Sequence, residues 1–254
     1  MTAYEIVKKS REKGRPTALC YIREIVEDFV ELHGDRRYAD DRAIVGGVGR
    51  VGGMPVTVIG IEKGADTQDK IAHNFGCAHP EGYRKAVRLM KQAEKFRRPV
   101  LCFVDTSGAY CGIGAEERGQ SEAIATSILE MIRLRTPTLS VIIGEGGSGG
   151  ALGLCAADEV WITETSTYSV ISPEGCASIL WKDAAKVEQA CDCLKLTAND
   201  LISLHAVERV VEEKGFSEEF FAGLGRDIAA FFASKRGEDP AALVEKRYAR
   251  FRKF

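Results

Sequence analysis

The chain has 254 residues, with 35 Lys and Arg against 37 Asp and Glu, for a formal net charge of -2. That balance gives no electrostatic reason for binding nucleic acid, and no polybasic block occurs. No apolar run approaches the ~20 residues of a membrane span. An apolar fraction of 45% with 28% charged residues is ordinary for a soluble globular protein, long enough here for a full core.

Met1-Thr-Ala-Tyr-Glu-Ile-Val-Lys-Lys9 carries charge and has no apolar h-region. It does not read as a signal peptide, so a cytoplasmic location is expected. Leu19 to Leu32 places Leu19, Ile22, Ile25, Val26, Phe29, Val30 and Leu32 at helical spacing, and His33-Gly34 ends the run as a helix C-cap would. Ala43–Val51 and Met54–Ile61 flank Gly52-Gly53, a hairpin signal with a two-residue primed turn. Gly82 to Phe96 predicts a helix burying Val87, Leu89, Met90 and Ala93, followed by a strand at 99–104. Glu116 to Leu134 predicts the next helix, with Ile124, Ile128, Leu129, Met131 and Ile132 apolar, and 138–143 the next strand. Gly149–Ala157 reads as a small-residue helix suited to close packing. Short strands are predicted at Glu159–Thr163, Thr167–Ile171 and Ala206–Val211, and the rest is mostly helical. Strand and helix alternate from 99 to 163, which predicts an α/β core in a single domain, 1–254.

Eight cysteines are present, yet no Cys-x-x-Cys occurs, which argues against a zinc ribbon in this chain. Cys102 and Cys155 lie in apolar runs and read as small core residues. Free thiols fit a reducing compartment, and Cys191-x-Cys193 needs no metal to explain it.

Two glycine-rich turns, each leaving a strand-like run and entering a helix-like one, carry the chemistry. The first is Asp105-Thr-Ser-Gly-Ala-Tyr-Cys-Gly-Ile-Gly-Ala-Glu-Glu-Arg-Gly-Gln120; the second is Gly144-Glu-Gly-Gly-Ser-Gly-Gly150. Glycine lets a backbone approach a ligand closely. A helix start offers unpaired N–H groups and a partial positive charge, so the pair makes a site for phosphate, carboxylate or a developing oxyanion. Four readings compete with the bland one, that the glycines only make turns. A P-loop needs Gly-Lys-Ser/Thr where Gly149-Gly150-Ala151 stands, and fails. A dinucleotide fingerprint matches Gly144-x-Gly146-x-x-Gly149, with Glu164 about 20 residues on as a ribose-binding acid, but leaves the first loop unexplained. A hydrolase elbow, Gly146-Gly-Ser148-Gly-Gly150, needs a histidine downstream, and only His205 is available. An oxyanion hole at Gly149-Gly150 uses both loops and needs no side-chain base.

The chain resembles the carboxyltransferase α subunit of bacterial acetyl-CoA carboxylase. The resemblance rests on Gly34-Asp-Arg-Arg-Tyr-Ala-Asp-Asp41, Ala43-Ile-Val-Gly-Gly47, Asn74-Phe-Gly76, Pro80-Glu-Gly-Tyr-Arg-Lys-Ala86, Gly114-Ala-Glu-Glu-Arg-Gly-Gln-Ser-Glu-Ala123, Ile143–Leu152 and Ser166–Trp181, covering roughly 16 to 212. It implies a crotonase-like α/β fold, a spiral of ββα units with a core about 34–212 and flanking helices. It implies transfer of CO2 from carboxybiotin, carried on a separate biotin carboxyl carrier protein, to acetyl-CoA, giving malonyl-CoA for fatty acid synthesis. The implied partners are a zinc-ribbon-bearing β subunit in an α2β2 assembly and biotin carboxylase, with no metal in this chain. A dinucleotide-binding oxidoreductase, or another crotonase-like acyl-CoA enzyme, is the alternative.

The family's oxyanion glycines fall on Gly149 and Gly150. Substrate contacts are expected at Thr106, Ser107, Gly108, Ala109, Tyr110, Gly146, Gly147 and Arg118. Arg84 and Lys85 are further candidates for an anionic group, against a plain solvated helix face. The resemblance calls for no histidine base: His33 reads as a helix end, His73 and His79 as loop, and His205 as surface or core. The family's Asp-Thr-Pro-Gly-Ala-Tyr-Pro reads Asp105-Thr-Ser107-Gly-Ala-Tyr-Cys111 here, which removes two fixed φ angles and predicts a looser loop. Most of the family's longer helical N-terminal extension is also missing.

Overall fold

Residues 1–253 are described in a computed structural model. The elements run α1 (Ala3–Ser10), α2 (Ala18–Ile25), β1 (Glu27–Glu31), β2 (Ile44–Val51), β3 (Met54–Ile61), α3 (Thr67–Ala72), α4 (Pro80–Lys95), β4 (Val100–Thr106), α5 (Ile113–Glu117), α6 (Gln120–Arg133) and β5 (Thr138–Gly147). There follow α7 (Ser148–Cys155), β6 (Glu159–Thr163), β7 (Thr167–Ser169), α8 (Pro173–Trp181), α9 (Val187–Leu194), α10 (Ala198–Ser203), β8 (Arg209–Val211), α11 (Glu218–Ser234) and α12 (Pro240–Phe251).

One sheet carries the fold, in the order β1-β2-β3-β4-β5-β6-β8. The β2–β3 hairpin turns on Gly52 and Gly53, both at positive φ (55° and 73°), the conformation a primed turn requires. From β3 onward the strands are parallel, and period-2 alternation sends their side chains to two cores. Ile59, Ile61, Val100, Cys102, Val104 and Ile142 face α4, α6 and α7. Val56, Val58, Leu101, Phe103, Leu139, Val141 and Ile143 face α2 and α11, where Tyr21 packs edge-on against Phe220 and Phe221. Strands buried on both faces read as unbroken apolar runs, as expected of a parallel sheet under two helical layers.

β5 changes partner along its length. Leu139–Ile142 pairs with β6, whereas Glu145–Gly147 pairs with β7. This split places the glycine-rich end of β5 beyond the main sheet, at the carboxyl ends of the parallel strands, where open α/β sheets place ligands.

Three predicted elements differ in the structure. The 19–32 helix stops at Ile25, and Glu27–Glu31 is strand β1, paired with β2. Tertiary pairing overrides the helical spacing because Gly47 and Gly49 leave β2 bare; a Cβ on Gly47 would lie 2.1 Å from the Val30 oxygen. His33 therefore follows a strand and caps no helix. The 116–134 helix is broken at Gly119, at φ 80°, which separates α5 from α6. The second glycine turn is mostly strand: Gly144 to Gly147 belongs to β5, and α7 starts at Ser148.

Candidate active site

The two glycine segments meet backbone to backbone. A Cβ on Gly147 would lie 2.2 Å from the Ser107 oxygen, and one on Gly150 would lie 2.6 Å from the Ala109 nitrogen. Only glycine permits this approach, so the 107–109 loop seats directly on the first turn of α7. Gly149 differs: a Cβ there meets only the Ile124 methyl, at 3.5 Å. No side chain caps α7. The N–H groups of its first turn have no helical partner and carry the positive end of the helix dipole.

The loop of β4 is held from three sides. Thr106 Oγ1 accepts from Gly108 N at 3.0 Å and donates to Gly108 O at 2.9 Å. Tyr110 N donates to Ala78 O at 3.0 Å, and the Tyr110 ring stacks on His79 with centroids 4.3 Å apart. Gln120 Nε2 bridges Ala78 O and Tyr110 O, at 2.8 and 2.7 Å. These bonds restrain the segment that lacks the two family prolines. Tyr83, buried in α4, donates to Gly150 O at 3.2 Å and packs its ring near Gly153.

A charged floor lies beneath. β5 bulges opposite Asp105, since Val104 pairs with Ile142 but Thr106 pairs with Gly146. The Asp105 carboxylate fills the bulge, accepting from Glu145 N at 2.9 Å, and leaves no room for a Cβ on Gly144. Lys63 Nζ bridges Glu145 at 2.5 Å and Asp105 at 3.4 Å, and Arg11 joins Glu145 to Glu174. Burial alone would raise the Glu145 carboxyl, but Lys63 and Arg11 hold it below its usual range. Burial likewise opposes charge on Lys63, and Asp105 and Glu145 outweigh it and raise its pKa. Arg15 reaches Ile143 O, Thr163, Thr165 and Ser166 and pairs with Glu213, fixing the outer side of the bulge.

The structure thus brings together Thr106, Ser107, Gly108, Ala109, Tyr110, Gly146, Gly147, Gly149 and Gly150. Arg118 is engaged with other residues, in a two-bond ion pair with Glu81 at 2.9 and 3.2 Å and over the Tyr38 ring. Arg84 is bonded to Asp35 and to Arg118 O. Lys85 is fully buried on Asp40 and Asp41 O, neither a free cation nor a solvated face. Lys63 and Arg11 are contributors that sequence spacing does not reveal, since they come from elements far from the glycine segments, whereas Asp105, Gln120 and Glu145 lie within those segments and gain their partners only on folding.

Two alternatives lose their geometry. A dinucleotide fingerprint needs its first two glycines in the strand-to-helix turn, whereas Gly144 and Gly146 lie inside β5. Ser148 has the strained φ of 55° that a nucleophile elbow would show. Its hydroxyl, however, has no histidine partner among the described residues, where His33 and His73 bind Asp40 and Asp69.

A family model described as acetyl co-enzyme A carboxylase carboxyltransferase-like matches residues 1–254. The acetyl-coenzyme A carboxylase carboxyl transferase subunit alpha of Ruminiclostridium cellulolyticum is 61% identical over 215 residues, covering 85% of this chain and 83% of its own length. Its Streptococcus sanguinis counterpart is 52% identical over 250 residues, 98% of each chain. Among solved structures, the transcarboxylase 12S hexamer with methylmalonyl-coenzyme A superposes with a TM-score of 0.73 at 21% identity, over 91% of this chain and 44% of that one. A Pseudomonas malonate decarboxylase hetero-tetramer in complex with coenzyme A gives 0.68 at 16% identity, over 85% and 91%. These structural likenesses establish the fold as crotonase-like. With a full-length match and relatives above half identity, the chain belongs to the acetyl co-enzyme A carboxylase carboxyltransferase-like family.

Proposed function

We propose that this chain is the α subunit of the acetyl-CoA carboxylase carboxyltransferase, passing CO2 from carboxybiotin on a carrier protein to acetyl-CoA to give malonyl-CoA. Family membership over the whole chain supports the reaction. The observation that carries the site is the uncapped start of α7, seated on the Ser107–Ala109 backbone through Gly147 and Gly150. A Cβ at either glycine would collide with that backbone, so the two glycines hold the loop against the helix start and fix where its main-chain donors lie. The N–H groups of Gly149 and Gly150 are the proposed donors to an oxygen that becomes anionic during transfer. Preorganised donors of this kind act where charge develops and need no reorganisation. Carboxybiotin, when bound, supplies the CO2 to be transferred. The 106–110 loop walls the pocket, and Asp105, Lys63 and Glu145 hold the bulged strand under it in one geometry.

Full activity is assigned to an α2β2 assembly with a zinc-ribbon β subunit, working with the carrier and biotin carboxylase in the cytoplasm. Among the described residues no helix is long and apolar enough to cross a membrane. The test uses the chain reconstituted with the β subunit, assayed for malonyl-CoA decarboxylation to a biotin acceptor. Gly149→Pro deletes one donor in a first helical turn, where proline is tolerated, and should cost about 10² to 10³ in rate, with folding checked by melting. Ser148→Ala should keep most activity. A dead Ser148→Ala beside a fully active Gly149→Pro would sink the mechanism and revive the hydrolase reading. Sedimentation velocity tests assembly: a monomer unchanged by the β subunit would overturn the partner assignment.

A further inference from the structure

A second large concavity lies at the opposite end of the sheet. It is a groove of about 1350 Å³ at the amino ends of the parallel strands, bordered by the Gly52-Gly53 turn, Pro99, Pro137 and the end of α11. Its walls carry Arg97, Arg98, Arg135 and Arg236. Among the described residues none of these four makes an ion pair with a carboxylate. The two acids of the groove are engaged elsewhere: Glu94 accepts from the Arg135 backbone at 2.7 Å, and Glu238 holds Lys235 and Lys246.

Arg98 is the most telling member. Its Nε donates to Thr57 at 3.1 Å, while its Nη2 is buried without any hydrogen-bond partner. Burial lowers the Arg98 pKa with no carboxylate to oppose it. A buried unpaired donor is costly, and a ligand oxygen would relieve it once the guanidinium turns toward the groove. Beside it, Phe96 is 57% exposed with the Arg98 guanidinium 5.1 Å from its ring centroid. Clustered guanidiniums in a cleft focus the field on anions and match phosphate oxygens in pairs. An exposed ring next to them offers a stacking platform for a base. The volume exceeds what inorganic phosphate needs and leaves room for a nucleotide-sized ligand.

We propose that this groove binds a nucleoside polyphosphate, with its phosphates among the four arginines and its base against Phe96 and Arg98. The ligand can be a free nucleotide or the nucleotide end of a coenzyme A molecule, since both present a diphosphate and a purine. The site lies apart from the α7 cradle and is independent of the reading proposed for it.

Calorimetric titration of the full-length chain with ADP, pyrophosphate and adenosine tests this. ADP and pyrophosphate should bind and weaken with added salt, and adenosine should not bind. Arg98→Gln and Arg135→Gln should each weaken both anions about tenfold, roughly one charge-assisted contact. Phe96→Ala should weaken ADP and spare pyrophosphate, and Arg226→Gln, outside the groove, should change neither. Arg135 is exposed, so Arg135→Gln keeps the test open if Arg98→Gln fails to fold. Competition by coenzyme A assigns its nucleotide end as an occupant; ADP binding without competition assigns free nucleotides. Absence of binding at millimolar ADP, or ADP affinity unchanged by both arginine variants, would overturn the site. ADP affinity unchanged by Phe96→Ala would overturn its nucleoside part.

Discussion

At the scale of single residues, the two proposed donor glycines play different steric parts. A side chain on Gly150 drives into the Ala109 nitrogen at 2.6 Å and the Gly108 carbon at 2.9 Å, both backbone atoms that cannot swing aside. Gly150→Ala should therefore displace the 107–109 loop and abolish transfer, with a stability loss of ~1–3 kcal/mol, the usual range for overpacking. Gly149→Ala keeps its N–H and meets one methyl at contact distance, so its melting temperature should match the parent's. Equal melting of the two variants would refute the seating argument. Gln120 offers a second check. Its amide nitrogen serves two carbonyls while its Oε1 is buried without a partner. Gln120→Leu strands the Tyr110 carbonyl, while Ala78 O keeps the Tyr110 N–H, and should cost ~1–3 kcal/mol. The accompanying observation should be faster amide exchange at Tyr110, whose N–H is bonded to Ala78.

At the scale of elements, α12 is tied to the core through Arg247, with Arg250 bonded to Glu208 and Ala206 O and Leu243 buried beside it. Arg247 is 1% exposed; it pairs with Asp158 through two nitrogens at 2.8 and 3.0 Å. It also donates to the carbonyls of Met131, Ile132, Leu134 and Thr136, which closes the carboxyl end of α6 and the approach to β5. Removing one partner of a buried pair leaves the other uncompensated, at ~3–5 kcal/mol. Arg247→Met should lose that much in urea denaturation, with the α7 cradle unaffected in the surviving folded fraction. A loss below ~1 kcal/mol, the scale of an exposed pair, would show that the carbonyls find other donors.

For the whole molecule, stability against acid follows from carboxylates held by buried cations. Burial works against the charge on Asp40, but Lys85, the Gly34 amide and His33 outweigh it and bring its pKa down to about 2. A folded-state pKa below the unfolded value of ~4 contributes stability that is present above pH ~4 and lost as the pH falls towards 2. Asp41 and Glu62, raised by burial, act with the opposite sign over the same range. The clean readout is therefore a variant rather than the raw acid limb. Asp40→Asn replaces the carboxylate bonded to fully buried Lys85 with a neutral acceptor and leaves the ammonium without its paired charge, so the variant should be destabilised at pH 7. The gap to the parent should close between pH 4 and 2. A gap independent of pH would show that the pair carries no linked proton.

Much of this protein was legible before folding. The Gly52-Gly53 hairpin, the strands at 99–104 and 138–143 and the amphipathic α4 follow from local periodicity and turn chemistry, which act over a few residues. The resemblance named the family and the crotonase-like fold, and the glycine segments pointed to one site. Tertiary contacts decided the rest. Residues 27–31 follow a helical pattern but pair as a strand, because the bare glycines of β2 accept a backbone against them. Gly144–Gly147 looks like a turn but extends β5, because Asp105 fills the bulge and β7 supplies a second partner. Lys63, Arg11 and Glu145 converge from positions far apart in the chain, and no local signal encodes that convergence. Which arginines are satisfied and which stay unpaired was equally undecided by composition. Arg118 meets Glu81 and Arg247 meets Asp158, whereas Arg98 meets no acid, and only the packing of helices on the sheet makes that difference.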